Sequence, residues 1–358
     1  MSQRNEISFK GKNIYVGIDV HLKSWTATIL SESIHLKTYR LDPSPDVLYA
    51  YLSRTYPGAI IHSVYEAGFS GYSAHWRLKE LGIDNMVINP ADVPTTGKEK
   101  LRKTDAVDSA KLARSLRNGE LKPIYIPSRT AQELRSLTRL QASVTKDQTR
   151  IKNRIKGYMH FLGIDIPPRF SGAACWSHAF TSWLSSVATV TPHGKYVLNS
   201  HIGQLKTLRE ERLSLLRQMK SMAKVDPLAS QVALLRSIPG IGDITALRLI
   251  AEIIDINRFK DSNHLAGFVG IVPMCDKSGD DSAEDNGGIT IRANRTLRGA
   301  IIEASWVAIK KDPALTYAYE NYCKRMKGTN AIIKIARKLV NRIYFVMKHQ
   351  AVYVPSIL

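Results

Sequence analysis

The chain has 358 residues, 44% of them hydrophobic, enough for two or three domains with sizeable cores and too apolar for general disorder. No apolar run approaches the ~18–20 residues that cross a membrane, and the polar start MSQRNEISFKGKN has no apolar leader core, which predicts a cytoplasmic product. The net charge is +20, and it is localised: residues 100–160 hold 15 basic and 5 acidic residues, residues 289–350 hold 13 and 3, and the rest sums to zero. Two basic blocks on a neutral scaffold point to a polyanionic partner, with solvated helix faces as the alternative; a membrane surface is disfavoured because neither block has a clean apolar face with interfacial aromatics.

In chain order, IYVGID, SWTATIL and IHLKTYRL read as a three-strand antiparallel meander. PDVLYAYLSRTY has helical spacing with Pro45 in the first turn, and AIIHSVYEAG is a β-branched strand ending at Glu66. GYSAHWRLKELGI predicts a helix stopped by Gly82, and NMVINP a strand stopped by Pro90. TDAVDSAKLARSLRNG predicts a helix capped by Thr104 or a neighbour and closed by Gly119. Strands followed by alternating helix and strand describe a mixed-sheet α/β domain over 13–125. Helical spacing over 130–162 and 203–223 predicts a helical hairpin or coiled coil within 130–225, around an insert, 163–200, whose fold stays unassigned. A third, mainly helical domain spans 227–350, with a loop-rich stretch at 259–288. Cys175, Cys275 and Cys323 are too scattered for a disulfide framework or zinc site and read as buried thiols.

Four carboxylates carry the chemistry. Asp19 ends the first strand, Glu66 ends the fourth, and Asp105 and Asp108 are three apart on one helix and so share a face. Singly, such residues are usually caps or solvent-facing acids. Brought together they repel unless a divalent cation neutralises them. Mg²⁺ takes such hard oxygen ligands and keeps positions open for phosphate, and two-ion carboxylate clusters stabilise the attacking and leaving oxygens of phosphodiester cleavage. In the C-terminal domain PGIGDITA reads either as a helix-hairpin-helix-like turn, with Gly240 and Gly242 letting backbone N–H groups reach a phosphate, or as a plain packing corner. Arg292, Arg295 and Arg298 are three apart, on one face if that segment is helical, which suits phosphate contact.

The order of acids resembles the RNase-H-like nucleases, Holliday-junction resolvases in particular. YVGIDVHLKSW, VYEAGFSGY, NMVINP and KTDAVDSAKLA are similar to the N-terminal DEDD (RuvC-like) domain of the insertion-sequence-110 family of transposases. SIPGIGDITALRLIAEI, FKDSNHLAGFVGIVP and SGDDSAEDNGGITIRANRTLRGAIIEAS resemble that family's second conserved domain. The matching blocks cover roughly 15–120 and 230–310 in the family's order. The resemblance implies an RNase-H-like N-terminal fold, a divalent metal on Asp19, Glu66, Asp105 and Asp108, and a serine nucleophile at Ser278, with Ser282 in reserve because this chain reads Ser-Gly-Asp where the family shows Ser-Gly-Gly. Ala293 stands where the family has glycine. It further implies a bacterial or archaeal enzyme acting at the nucleoid, with donor and target DNA and a structured bridge RNA as partners. Bringing two such centres to paired DNA sites requires a homodimer or tetramer on geometric grounds, with the hairpin 130–162/203–223 as the candidate dimer contact. Two other functions fit the residues: a resolvase-type nuclease using water, and a nucleic-acid-binding protein without catalysis.

Overall fold

The computed structural model describes residues 8–97, 104–172, 175–273 and 288–355. The chain divides into two compact units, Met1–Ile126 and Pro127–Leu358. In the first, strands β1 (Asn13–Val20), β2 (Trp25–Leu30), β3 (His35–Leu41), β4 (Ile60–Glu66) and β5 (Asp84–Ile88) form one mixed sheet in the order β3-β2-β1-β4-β5. The meander β1-β2-β3 is antiparallel, while β4 and β5 run parallel to β1. Helices α1 (Pro45–Thr55) and α2 (Ser73–Glu80) link the strands, and α3 (Asp105–Arg117) follows them. Ser44 caps α1, with Pro45 at its start, and the Thr104 hydroxyl accepts from the Val107 N–H to begin α3.

Alternation along the strands sorts the side chains. Ile14, Val16 and Ile18 of β1 join Leu48, Leu52 and Leu78 in the core under α1 and α2. Val64 and Ile88 point the other way and pack with Leu112 and Leu116 of α3. Gly17 faces α3 as well, and a Cβ built there would lie 2.1 Å from the Ser109 carbonyl oxygen. The absent side chain therefore lets the helix backbone rest on the strand. Beneath α3 a buried hydroxyl chain, Thr38–Thr28–Ser109, ties β3 and β2 to the helix at 2.9 and 2.8 Å.

The second unit is mainly helical: α4 (Arg129–Phe161), α5 (His178–Ser186), α6 (Pro192–Met222), α7 (Leu228–Arg236), α8 (Asp243–Ile253), α9 (Ser262–Val269), α10 (Arg295–Ala308), α11 (Pro313–Cys323) and α12 (Gly328–His349). A mixed sheet followed by a helical region is the fold class expected from the sequence. Helices α4 and α6 pack antiparallel: Tyr158 near the end of α4 donates to the Gly194 carbonyl near the start of α6. Three local expectations change. The second hairpin helix begins at Pro192 rather than 203, because Thr191 caps it and proline suits its first turn, and α5 occupies part of the insert. Within the stretch read as loop-rich, Asp261 accepts from the N–H groups of Asn263 and His264 and starts α9, which ends at Gly270 with φ +85°. Cys323, on the outer side of α11, is exposed and Cys175 half-buried, so neither is a buried thiol; Cys275 lies outside the described residues.

One buried charge organises this unit. Glu252 of α8 is 1% exposed and accepts a bidentate pair from Arg139 of α4 at 2.7 and 2.9 Å and a bond from Asn294, the N-cap of α10, at 2.8 Å. Arg135 approaches at 3.5 Å. Burial pushes the Glu252 carboxyl up, but Arg139, Asn294 and Arg135 together hold it below its ordinary 4.5. Removing one partner of such a network leaves uncompensated charge, so Glu252→Ala is expected to cost about 3–5 kcal/mol in urea unfolding. Because the folded value is depressed, the stabilisation is complete above about pH 4.5 and is lost as pH falls through the lower folded value. Glu252→Gln should abolish that part of the acid sensitivity; an acid profile identical to the parent's would show that the carboxylate is not what titrates.

Candidate active site

The strand pattern that puts Gly17 under α3 also puts Asp19 there. In the parallel β1–β4 pair Gly17 lies opposite Val64 and Ile18 opposite Tyr65, so the next residues, Asp19 and Glu66, come side by side at the carboxyl end of that pair. The first turn of α3 brings Asp105 and Asp108 over the same end. All four carboxylates line one cleft of about 400 Å³, with His21, Phe69, Ser70 and Thr104 completing its wall. Residues separated by 89 positions in the chain are thus gathered by one sheet end and one helix start.

The charges are arranged unevenly. The His21 Nε2 lies 3.2 Å from Asp19 Oδ2 and 3.6 Å from Asp105 Oδ1, and ligand atoms of these three residues all lie within 4.8 Å of one another. On the other side the buried Lys111 ammonium sits 3.4 Å from Asp108 and 3.9 Å from Glu66. Burial pushes the Asp19 carboxyl above its ordinary range; His21 opposes this and Asp105 and Asp108 add to it. The α3 N-terminus offers a favourable field to the two aspartates in its first turn. Carboxylate oxygens with one imidazole form a donor set that fits a divalent cation of the Mg²⁺ or Mn²⁺ kind.

His21 and Lys111 are absent from the site read in the sequence. His21 follows Asp19 by two, so an extended chain points both to one side; Lys111 follows Asp108 by three on a helix. Those spacings are the available signals, and both are too common to single the residues out.

In the second unit, Ser278 and Ser282 lie outside the described residues. Gly240 has φ +92°, and a Cβ there would lie 2.3 Å from the Ala304 carbonyl oxygen of α10. Its requirement for glycine is therefore met by helix packing, the plainer of the two sequence readings. Gly242 precedes α8 as its N-cap, is exposed and has open space around its Cα. The three arginines do not share one helical face, because Asn294 caps α10 and the helix begins only at Arg295. Arg292 precedes the helix, Arg295 is exposed in its first turn, and Arg298 turns inward to donate to the Thr290 carbonyl. Ala293 packs against Gly270, where a Cβ would overlap its methyl group. Among the described residues no helix is long and apolar enough to cross a membrane.

The family model described as transposase, DEDD type of IS110, matches residues 16–163, and the one described as transposase of the IS116/IS110/IS902 family matches residues 232–320. The chain is 26% identical to the candidate transposase y4qE of Sinorhizobium fredii over 69% of this chain and 58% of that protein, so it spans little more than half of that relative. It is 25% identical to the candidate transposase y4rJ of the same organism, over 91% of this chain and 90% of the other. With the transposase for insertion sequence element IS1111A of Coxiella burnetii it shares 26% identity over 79% of this chain and 77% of that one. With both conserved regions matched in order, the first running through α4 and the second beginning after α6, the chain belongs to the IS110/IS116 family of transposases.

Proposed function

We propose that this transposase cuts and rejoins DNA at the ends and target of its own insertion sequence, using the carboxylate cleft as a divalent-metal centre and Ser278 as nucleophile. The observation that carries the reading is the convergence of Asp19, Glu66, Asp105 and Asp108 on one cleft. The strand order β3-β2-β1-β4-β5, with β2 alone running against the other four, supports an RNase-H-like first unit. Asp19, His21 and Asp105 would hold one cation, with Glu66 and Asp108 as further oxygen donors. A bound Mg²⁺ would polarise the scissile phosphate and stabilise charge on its oxygens. The four carboxylates keep a negative field at the cleft that His21 and Lys111 offset only in part and that a bound cation would neutralise, which lets a phosphate approach.

In the proposed chemistry the Ser278 hydroxyl oxygen attacks phosphorus and its proton passes to a carboxylate or water. The bridging P–O bond breaks and the departing sugar oxygen takes up a proton, leaving a phosphodiester between serine and the strand end. Reversal with another strand end rejoins DNA without net hydrolysis. The serine, a bridge RNA that selects the sites by base pairing, and an oligomer with paired cleavage centres are carried by the family resemblance alone.

Ser278→Ala is the test. Expected is loss of the SDS-resistant protein–DNA adduct and of recombination, with metal binding and DNA affinity retained. Recombination surviving in Ser278→Ala would remove the serine from the mechanism. Metal-dependent cutting that persists in Ser278→Ala but not in Asp19→Asn would favour a nuclease using water. Binding indifferent to all four carboxylates, with no strand breakage, would reduce the chain to a nucleic-acid-binding protein.

A further inference from the structure

The α4–α6 hairpin has a charged layer in its seam. On α6 the inward positions follow a 4-3 spacing: Leu198, Ile202, Leu205, Arg209, Arg212, Leu216, Met219. On α4 the matching series is Leu137, Gln141, Val144, Gln148, Ile151, Ile155. This is the spacing of a coiled-coil core, where apolar residues belong. The outer part obeys it, with Ile151, Ile155, Leu198, Ile202 and Leu205 buried together. The middle breaks it with two buried glutamines and two half-buried arginines. Arg248 enters the same layer from α8, donating to the Gln141 side-chain oxygen.

Among the described residues no carboxylate pairs with these cations, and Arg209 donates to the Trp176 carbonyl instead. None of the ion pairs among the described residues includes Lys152, Arg209, Arg212 or Arg248. The Nε atoms of Arg212 and Arg248 are buried without a hydrogen-bond partner. Burial, then Arg209 and Arg212, lowers the Lys152 ammonium; burial, then Arg212, lowers the Arg248 guanidinium. Clustered, half-desolvated cations with unmet donors are costly unless an anion completes them. Guanidinium forks match phosphate oxygens, and paired arginines can hold one from two sides.

We propose that Arg212 and Arg248, with Lys152 and Arg209 beside them, bind a phosphate of a nucleic-acid backbone at the polar layer of the hairpin. A polyanion fits better than an isolated carboxylate because the layer continues into a basic surface: α4 carries 8 Lys and Arg against 2 acids, and Lys146, Arg150, Arg154 and Lys156 are exposed. The choice of a backbone phosphate rests on the nucleic-acid reading above, whereas the anion site does not.

The test uses the full chain and the Arg212→Gln/Arg248→Gln double variant. Affinity for labelled duplex DNA, single-stranded DNA and hairpin RNA is measured against salt. Two lost phosphate contacts should flatten the slope of log affinity on log salt by about 1–2 with the nucleic acid that occupies the site, which also separates DNA from RNA. Arg77→Gln, whose charge already pairs with Asp46 and Glu80, should leave the slope unchanged. Thermal melting gives an independent reading. In anion-free buffer the double variant should melt higher than the parent, and inorganic pyrophosphate should raise the parent's melting temperature but not the variant's. If the double variant does not fold, Lys152→Gln and the charge-keeping Arg212→Lys/Arg248→Lys carry the comparison, the first expected to weaken the pyrophosphate response and the second to keep it. A folded double variant with the parent's slope and pyrophosphate response overturns the proposal. So does a changed oligomeric state with unchanged nucleic-acid binding, which would mean that carboxylates of a second copy fill the layer. Pyrophosphate stabilisation of a parent that binds no nucleic acid would keep the anion site but remove both the backbone assignment and the function proposed above.

Discussion

Asp19→Asn is expected to reduce metal-dependent strand cleavage by about three orders of magnitude while leaving the protein folded and more heat-stable in metal-free buffer. The amide is isosteric with the carboxylate, so the end of β1 keeps its shape. What disappears is a charge whose desolvation and proximity to Asp105 and Asp108 already disfavour it. Its attraction to His21 is a modest loss, because that imidazole is half exposed. Several kcal/mol of transition-state stabilisation by a bound cation corresponds to about 10³-fold in rate. Relief of like-charge repulsion worth about 1 kcal/mol would raise the melting temperature by a few degrees. The pairing of lower activity with higher stability separates a functional carboxylate from a structural one, since a structural acid would lose both. Mn²⁺ titrated into the parent should raise its melting temperature by mass action, and the response should shrink in the variant. Undiminished cleavage by folded Asp19→Asn, or an equal Mn²⁺ response, would sink the metal centre.

The first unit is easily read from the sequence because its signals are local and agree. Ile14, Val16 and Ile18 alternate with Gly17 and Asp19, so one face of β1 is marked apolar and the other marked for close approach and charge. Ser44 before Pro45 and Thr104 before Asp105 announce helix starts by their own hydrogen bonds. The second unit hides its signals. Thr191–Pro192 begins a 31-residue helix inside the insert 163–200, whose glycines and prolines leave it unassigned from the sequence, and α9 is too short, at 8 residues, to display a period. The site divides likewise. The acids at strand and helix ends are visible because their order along the chain follows the topology. Lys111 is not, because only the approach of α3 to β4 brings it to Glu66. Nor does a motif say what stands opposite a glycine: PGIGD reads equally as a phosphate loop or a packing corner until Ala304 is found against Gly240.

Gly17→Ala should be the most damaging single methyl group in the first unit. A Cβ at that position would lie 2.1 Å from the Ser109 carbonyl oxygen, 2.3 Å from the Ala113 nitrogen and 2.9 Å from the Leu112 Cβ. Two of these are helix backbone atoms and have no rotamer to escape into. To restore contacts near 3.5 Å, α3 must lift by roughly 1.4 Å, which also stretches the Thr28–Ser109 bond beneath it. The cost is at least the ~1–3 kcal/mol of an overpacked core. Asp105 and Asp108 ride on the same helix, so the lift separates them from Asp19 and Glu66, and a misplacement of about 1 Å is enough for a roughly 10²-fold loss of rate. Urea unfolding should therefore show reduced stability, and the fraction that remains folded should cleave poorly and respond weakly to Mn²⁺. The same substitution at Gly299, where α10 leaves open space, should be neutral or stabilise by up to ~1 kcal/mol, as alanine does within a helix. Parent-like stability and cleavage in Gly17→Ala would mean that α3 does not need to rest on β1, and that its two aspartates reach the cleft by some other support.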